Sequence, residues 1–354
     1  TAIGLAASNS GNIASFNGTN GTNSPISGLI TVTPQVILGG TTCNGPPQTF
    51  TITVNPIPTV SAPADLVLCH NANSGAISFT GAVANTTYTW ANNTSSIGLG
   101  ASGTGNISSF VATNATNAPV TALLSVTPTF GGCPGTSDFM NITVNPVPTI
   151  NAVANQAIRV GSLSNPITFS STPAIVGTQY NWTQTNTSIG LNSSSSSGNI
   201  AAFNTVNTSN SVQLSEFTVT PVYTNLQHNC FGTPITFSIN VIPTPTVVDP
   251  ANQVVCNNAA VLATNFTGNI TGTTYTWTNT LPSINLSAGS TGNIATFNAV
   301  NSTNAPVTAV VQVTPSYTLA NTTCTGANES YTITVNPTPT VDAVSSAAYC
   351  VGSS

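Results

Sequence analysis

Charge is nearly absent from this sequence. Arg159 is the one basic residue apart from histidine, there is no Lys, and only 2% of the residues are charged, where an ordinary soluble protein has roughly 25%. Nucleic-acid binding needs Lys and Arg to displace counterions from phosphates, so that class is excluded, and attraction to anionic membrane surfaces fails for the same reason. Long apolar runs are missing as well: no stretch approaches the roughly 18 residues of a membrane span, so membrane insertion is not expected. The chain begins at Thr1 with neither an initiating Met nor a signal-peptide pattern. Helical periodicity is also missing. Low charge does not mean disorder here, because disorder pairs low hydrophobicity with high net charge, and this chain is 40% hydrophobic with a net charge of -5.

What is present is a repeat. Val54-Asn55-Pro56-Ile57-Pro58-Thr59-Val60 returns at Val144–Ile150, Val241–Val247 and Val335–Val341, and its first prolines, Pro56, Pro146, Pro243 and Pro337, are 90, 97 and 94 residues apart. Gly-Asn-Ile-x-x-Phe ends at Phe16, Phe110, Phe203 and Phe297, and Val-Thr-Pro ends at Pro34, Pro128, Pro221 and Pro315. A Tyr-x-Trp element gives Trp90, Trp182 and Trp277. Self-similarity at a fixed period marks a tandem array. Within a unit, Phe50, Ile52 and Val54 alternate with Thr49, Thr51 and Thr53, and the later units repeat that pattern. Period two with β-branched residues predicts half-buried strands. About seven short strands in about 94 residues, with a Trp near the middle, predict an all-β array of immunoglobulin-like, PKD-like sandwiches. Stiff Pro-x-Pro junctions between them predict a rod.

The expected boundaries are a partial repeat at 1–58, full repeats at 59–148, 149–245 and 246–339, and the start of another at 340–354. The chain then reads as a window on a longer array. The three tryptophans, being equivalent positions on a middle strand, are expected in the cores.

The seven cysteines contain no C-x-x-C pair that would suggest zinc. Cys43, Cys133, Cys230 and Cys324 share one repeat position, each two residues before a Gly, while Cys69, Cys256 and Cys350 share another. In the third unit that second position is Arg159. One bridge per domain gives Cys69–Cys133 and Cys256–Cys324, leaving Cys230 without a partner and Cys43 and Cys350 to pair beyond the chain. Such bridges point to an oxidising, extracytoplasmic setting.

Chemistry is not visible. Asp65, Asp138, Glu216, Asp249, Glu329 and Asp342 are spread over the units without a recurring carboxylate pair, and general acid–base work needs titratable groups gathered in a cleft. His70 and His228 fall at non-equivalent positions. Calcium takes six to eight oxygens, which these acids do not offer together. No enzyme, cofactor or metal site is expected.

With the repeat laid out, the chain resembles the repeats of giant Bacteroidota surface adhesins, of the SprB gliding-motility type with PKD-like domains. The resemblance rests on Tyr-Thr-Trp (Tyr88–Trp90, Tyr275–Trp277), Gly105–Phe110, Gly292–Phe297 and Ile-Thr-Val-Asn-Pro-x-Pro-Thr (Ile52–Thr59, Ile333–Thr340). The Asp-Phe-Gly-Asp-Gly that follows Trp in the PKD pattern is not here, since Ala-Asn-Asn follows Trp90. The resemblance implies type IX secretion, anchoring at the outer membrane, and a cell-surface filament that adheres to extracellular surfaces or polysaccharide. Contact with the gliding and secretion machinery would lie in regions outside this chain. The rival readings are a sheath or surface-layer polymer, with lateral self-association, and a non-catalytic accessory region of a secreted enzyme.

Overall fold

The alternating Thr and β-branched residues form strands. The computed structural model describes residues 2–348 and 351–352. The first repeat contributes β1 (Ile26–Val32), β2 (Gln35–Leu38), β3 (Thr41–Asn44) and β4 (Gln48–Val54), with β1 antiparallel to β4 and β2 to β3. The second has β5 (Leu66–Cys69), β6 (Thr87–Asn92), β7 (Ser102–Thr104), β8 (Val120–Phe130), β9 (Cys133–Pro134) and β10 (Asp138–Asn145). The third has β11 (Gln156–Arg159), β12 (Gln179–Gln184), β13 (Ser195–Ser197), β14 (Gln213–Asn225), β15 (His228–Phe231) and β16 (Ile235–Ile242). The fourth has β17 (Gln253–Cys256), β18 (Ala260–Val261), β19 (Thr274–Asn279), β20 (Gly289–Thr291), β21 (Phe297–Asn298), β22 (Val307–Leu319), β23 (Thr322–Thr325) and β24 (Glu329–Asn336).

Each of these three repeats builds one six-stranded sheet of the same order: β5-β10-β8-β6-β7 with β9 on β8, β11-β16-β14-β12-β13 with β15 on β14, and β17-β24-β22-β19-β20 with β23 on β22. The first strand pairs parallel with the last, Leu66–Cys69 against Ile142–Asn145. A parallel pair needs a long crossover, and here the whole domain lies between the two strands. A second layer is held by isolated bridges such as Asn73↔Val111, Ile77↔Ile107, Ile167↔Ile200 and Thr264↔Ile294, and by β18–β21. The architecture is therefore an all-β series of immunoglobulin-like sandwiches.

The repeated motifs each have a local reason. Gly105, Gly198 and Gly292 take φ of 75–80°, which favours Gly, and the following Asn oxygen accepts the amides of Phe79, Phe169 and Phe266. That seats Ile107, Ile200 and Ile294 in the cores. Proline in a central strand removes a ladder donor. Pro128 avoids that cost because the β8–β10 register ends at Val126 and the β8–β9 register begins at Thr129.

Contacts divide the chain into two compact units. One comprises Thr1–Asn151, Ser170–Gln179 and Thr220–Thr233; the other comprises Ala152–Phe169, Tyr180–Val219 and Pro234–Ser354. In the first, Leu124, Val126, Ile142 and Val144 are fully buried and Trp90 packs half-buried against them. In the second, Phe217 stacks on Phe237 with centroids 4.8 Å apart and tilts against Trp182, while Trp277 joins Val311, Val313, Tyr331 and Ile333. Each such side chain, once buried, contributes roughly 1.5–3 kcal/mol of transfer free energy. The tryptophans differ in their indole N–H: Trp182 donates to the Gly198 carbonyl at 3.2 Å, while those of Trp90 and Trp277 are buried without a partner.

Candidate functional site: the junction between repeats

Three repeated motifs meet where one repeat passes to the next. The glycine two residues after each hairpin cysteine donates its amide to the proline of Val-Thr-Pro: Gly45 to Pro34, Gly135 to Pro128, Gly232 to Pro221 and Gly326 to Pro315, at 2.8–3.0 Å. The second linker proline then lies on the same glycine. A Cβ added at Gly135 would stand 1.9 Å from the Pro58 carbonyl oxygen, and at Gly232 and Gly326 it would stand 1.8 Å from those of Pro148 and Pro245. No side chain fits there, so glycine is required by close backbone approach. A second seat follows, since the Thr59 and Thr246 carbonyls press on Gly81 and Gly268 in the same way. The linker is thereby docked on the repeat it enters.

The hairpin that carries that glycine also touches the repeat being left. Asn55 donates to the Gly131 carbonyl at 3.2 Å, and Asn225 donates to the Asn145 carboxamide at 2.8 Å. Thr322 donates to the Ala157 carbonyl, and the Arg159 guanidinium donates to the Thr325 carbonyl, both at 2.9 Å. At this contact Cys69, at the end of β5, is bridged to Cys230 in β15, with Cα atoms 5.6 Å apart.

This corrects the expected pairing. Cys69 does not bridge Cys133, nor Cys256 Cys324; Cys133, Cys256 and Cys324 are free, as is Cys43, and Cys230 is bonded. The reason is the parallel first–last pair. Cys69 lies opposite Asn145, at the exit end of β10, while Cys133 lies on the extension of β8 beyond Asp138, at the entry end. Seven residues of strand at about 3.3 Å each separate the two ends by roughly 23 Å, against a Cα separation of at most about 7 Å for a bridge. The two cysteine positions of one repeat cannot meet; those of the second and third repeats do. Arg159 stands at the position of Cys69 and faces the hairpin of Cys324, which is fully buried. Cys350 lies outside the described residues.

Of the other titratable groups, Asp65, Asp138 and His70 have backbone partners. Asp65 accepts the Asn141 amide at 2.7 Å, and Asn155 and Asn252 do the same for Ser238 and Thr332 one and two repeats on. The backbone and side-chain hydrogen bonds from Asn141 hold the Asp65 carboxyl below its ordinary range, as the amides of Ala62 and Phe139 do for Asp138. His70 accepts the Asn114 amide at 3.0 Å, and Asn257 takes that role for Asn301. A groove of about 420 Å³ beside Asp249 has no second titratable group in its lining. Cys69, His228 and Cys230 bring ligand atoms within 4.8 Å of one another, but the two sulfurs are bonded to each other and offer no thiolate, so the set leaves one imidazole.

A fourth periodic element went unassigned in the sequence. Asn20, Asn114, Asn207 and Asn301 each donate to the carbonyl near the end of the last strand (Val54, Val144, Val241 and Val335) at 2.7–2.8 Å and to a carbonyl four residues on. The spacing of 94, 93 and 94 residues was the available signal. As Asn-x-Ser/Thr sequences these resemble glycosylation acceptors, yet the amide nitrogens are already bonded within the fold.

No family model matches the sequence, and no curated protein does. Solved structures that match include immunoglobulin domains 1–5 of Sidekick-1, at 10% identity and a TM-score of 0.32, covering 90% of this chain and 78% of that one. Extracellular cadherin domains 3–6 of protocadherin gamma B2 match at 11% identity and a TM-score of 0.31, covering 89% and 84%. EC22–24 of mouse cadherin-23 match at 10% and 0.31, covering 80% and 99%.

Proposed function

We propose that this chain is a non-catalytic repeat region of an exported cell-surface adhesin, a stalk that bears tension. The observation that supports this reading is the docked junction, built from the same three motifs at each step and locked by a disulfide between the second and third repeats. Boundaries at the Pro-x-Pro segments, giving 1–58, 59–148, 149–245, 246–339 and 340–354, go with it. A bridge of this kind persists in oxidising compartments, which favours display outside the cell. The titratable groups described above serve backbone amides or stand alone, which favours a mechanical role over catalysis.

Gliding motility, type IX export, a Bacteroidota source and outer-membrane anchoring belong to this proposal through the resemblance of the repeat motifs. Extracellular surfaces or polysaccharide are the proposed targets, and weak contacts repeated along an array would add through avidity. The test is labelling of intact, non-permeabilised cells of the source with antibody to this chain, with attachment measured at the same time. Surface labelling and blocked attachment are expected. Labelling seen only after permeabilisation would overturn the proposal.

A further inference from the structure

Cys69, His228 and Cys230 gather where the second repeat meets the third. Cys69 ends β5, while His228 and Cys230 stand two residues apart on β15 and so share one face of it. The ligand atoms of all three lie within 4.8 Å of one another. In the oxidised chain the two sulfurs are taken up by each other. We propose that reducing the Cys69–Cys230 bridge turns this junction into a site for a borderline-soft divalent cation of the zinc class, held by two thiolates and the His228 imidazole.

Thiolate and imidazole are the ligands that such an ion takes in a tetrahedral site, which sets ligand atoms about 3.3–3.8 Å apart. Two sulfurs released from their bond open toward that spacing, and the imidazole closes on it by about 1 Å. The hairpin stays in place without the bridge. Asn225 donates to the Asn145 carboxamide at 2.8 Å, and the Pro148 carbonyl is seated on Gly232. The Asn229 carbonyl oxygen stands 3.6 Å from the Cys69 sulfur, an electron-rich neighbour that suits a cation. His228 is exposed, which leaves a path for the ion and a fourth position for water.

A second observation points the same way. Asn145 lies opposite Cys69 in the parallel pair and is fully buried, and its amide nitrogen has no partner. A buried donor without an acceptor is costly, and a disulfide sulfur is a weak acceptor. A thiolate at Cys69 is a stronger one, and a ligand so supported is the usual arrangement around a metal. The histidine also falls where the two cysteines meet. The other hairpins carry Thr41, Gly131 and Thr322 in its place, and Arg159 replaces the cysteine that would face Cys324.

A trialkylphosphine breaks the S–S bond by attack on one sulfur. Water then hydrolyses the phosphorus–sulfur adduct, so the phosphine is oxidised to its oxide and two protein thiols form. The cation displaces the two thiol protons, which pass to buffer. The site stands apart from the adhesin reading, since it needs neither a surface nor a filament.

The test uses the 354-residue chain carrying Cys43→Ser, Cys133→Ser, Cys256→Ser and Cys350→Ser, reduced with phosphine, freed of it under inert gas, and titrated with cobalt(II) and then zinc. One cobalt per chain is expected, with a thiolate-to-cobalt charge-transfer band and the intense visible bands of a tetrahedral site, all removed by zinc. Zinc should also shield Cys69 and Cys230 from alkylation. The oxidised chain should show none of this. Cys69→Ser and Cys230→Ser should each abolish the spectrum, Cys324→Ser should leave it, and His228→Ala should weaken binding about tenfold or more. A reduced chain without the charge-transfer band overturns the proposal. So does binding that survives Cys69→Ser or is indifferent to His228→Ala, since either means chance capture by loose thiols.

Discussion

Arg159 is informative because it occupies a cysteine position while its guanidinium still holds the neighbouring hairpin through the Thr325 carbonyl. Arg159→Cys should therefore bridge the introduced thiol to Cys324, seen as loss of Cys324 alkylation after unfolding without reductant. The added cross-link should stabilise that junction by about 2–4 kcal/mol. Gly232→Ala forces a methyl against the Pro148 carbonyl and should cost about 1–3 kcal/mol of stability in thermal or denaturant unfolding. The carboxylates set the acid response. Asp65 and Asp138 are depressed by amide hydrogen bonds, so the stability they confer is present above their unfolded value of 3.8 and is lost as pH falls through the lower folded value. Melting curves between about pH 5 and pH 2 should show that loss. Asp65→Asn should remove its share without harming the neutral-pH fold, because Asn155 and Asn252 do the same work.

At the scale of elements, the crossing of a loop to the last strand is held by a single side chain. Asn301 is 5% exposed, donates to Val335 and Ala305, and accepts from Thr303. Asn301→Ala leaves the buried Val335 carbonyl unpaired and should cost about 1–3 kcal/mol. Hydrogen exchange should show the loosening at the end of β24 before it reaches β19. The same bonds imply that Asn301 stays unmodified where glycosylation is available, since its nitrogen faces the fold and not solvent.

For the whole molecule, trypsin provides the simplest check. With no Lys, Arg159 is the single point of cleavage; it ends a strand paired parallel to β16 and its side chain is engaged with Thr325. The oxidised chain should survive prolonged digestion nearly intact by electrophoresis, and appearance of two fragments before denaturant is added would show that β11 opens.

Period, strand alternation and the all-β character were legible in the residues because they depend on local spacing: Thr49 to Val54 alternates whatever surrounds it. The burial class of Trp182 and Trp277 follows from the same alternation. Cysteine equivalence was also legible, but the partner of each cysteine was not. Pairing within a repeat and pairing across a junction both leave one cysteine facing Arg159, so the sequence count is the same for either. Only the tertiary structure decides, through the parallel pairing of β5 with β10, which places Cys69 at the exit end and Cys133 at the entry end of one sandwich. The glycine after each hairpin cysteine was visible at a fixed offset, yet its reason, a proline carbonyl from a linker far away in sequence, exists only once the chain has folded back on itself.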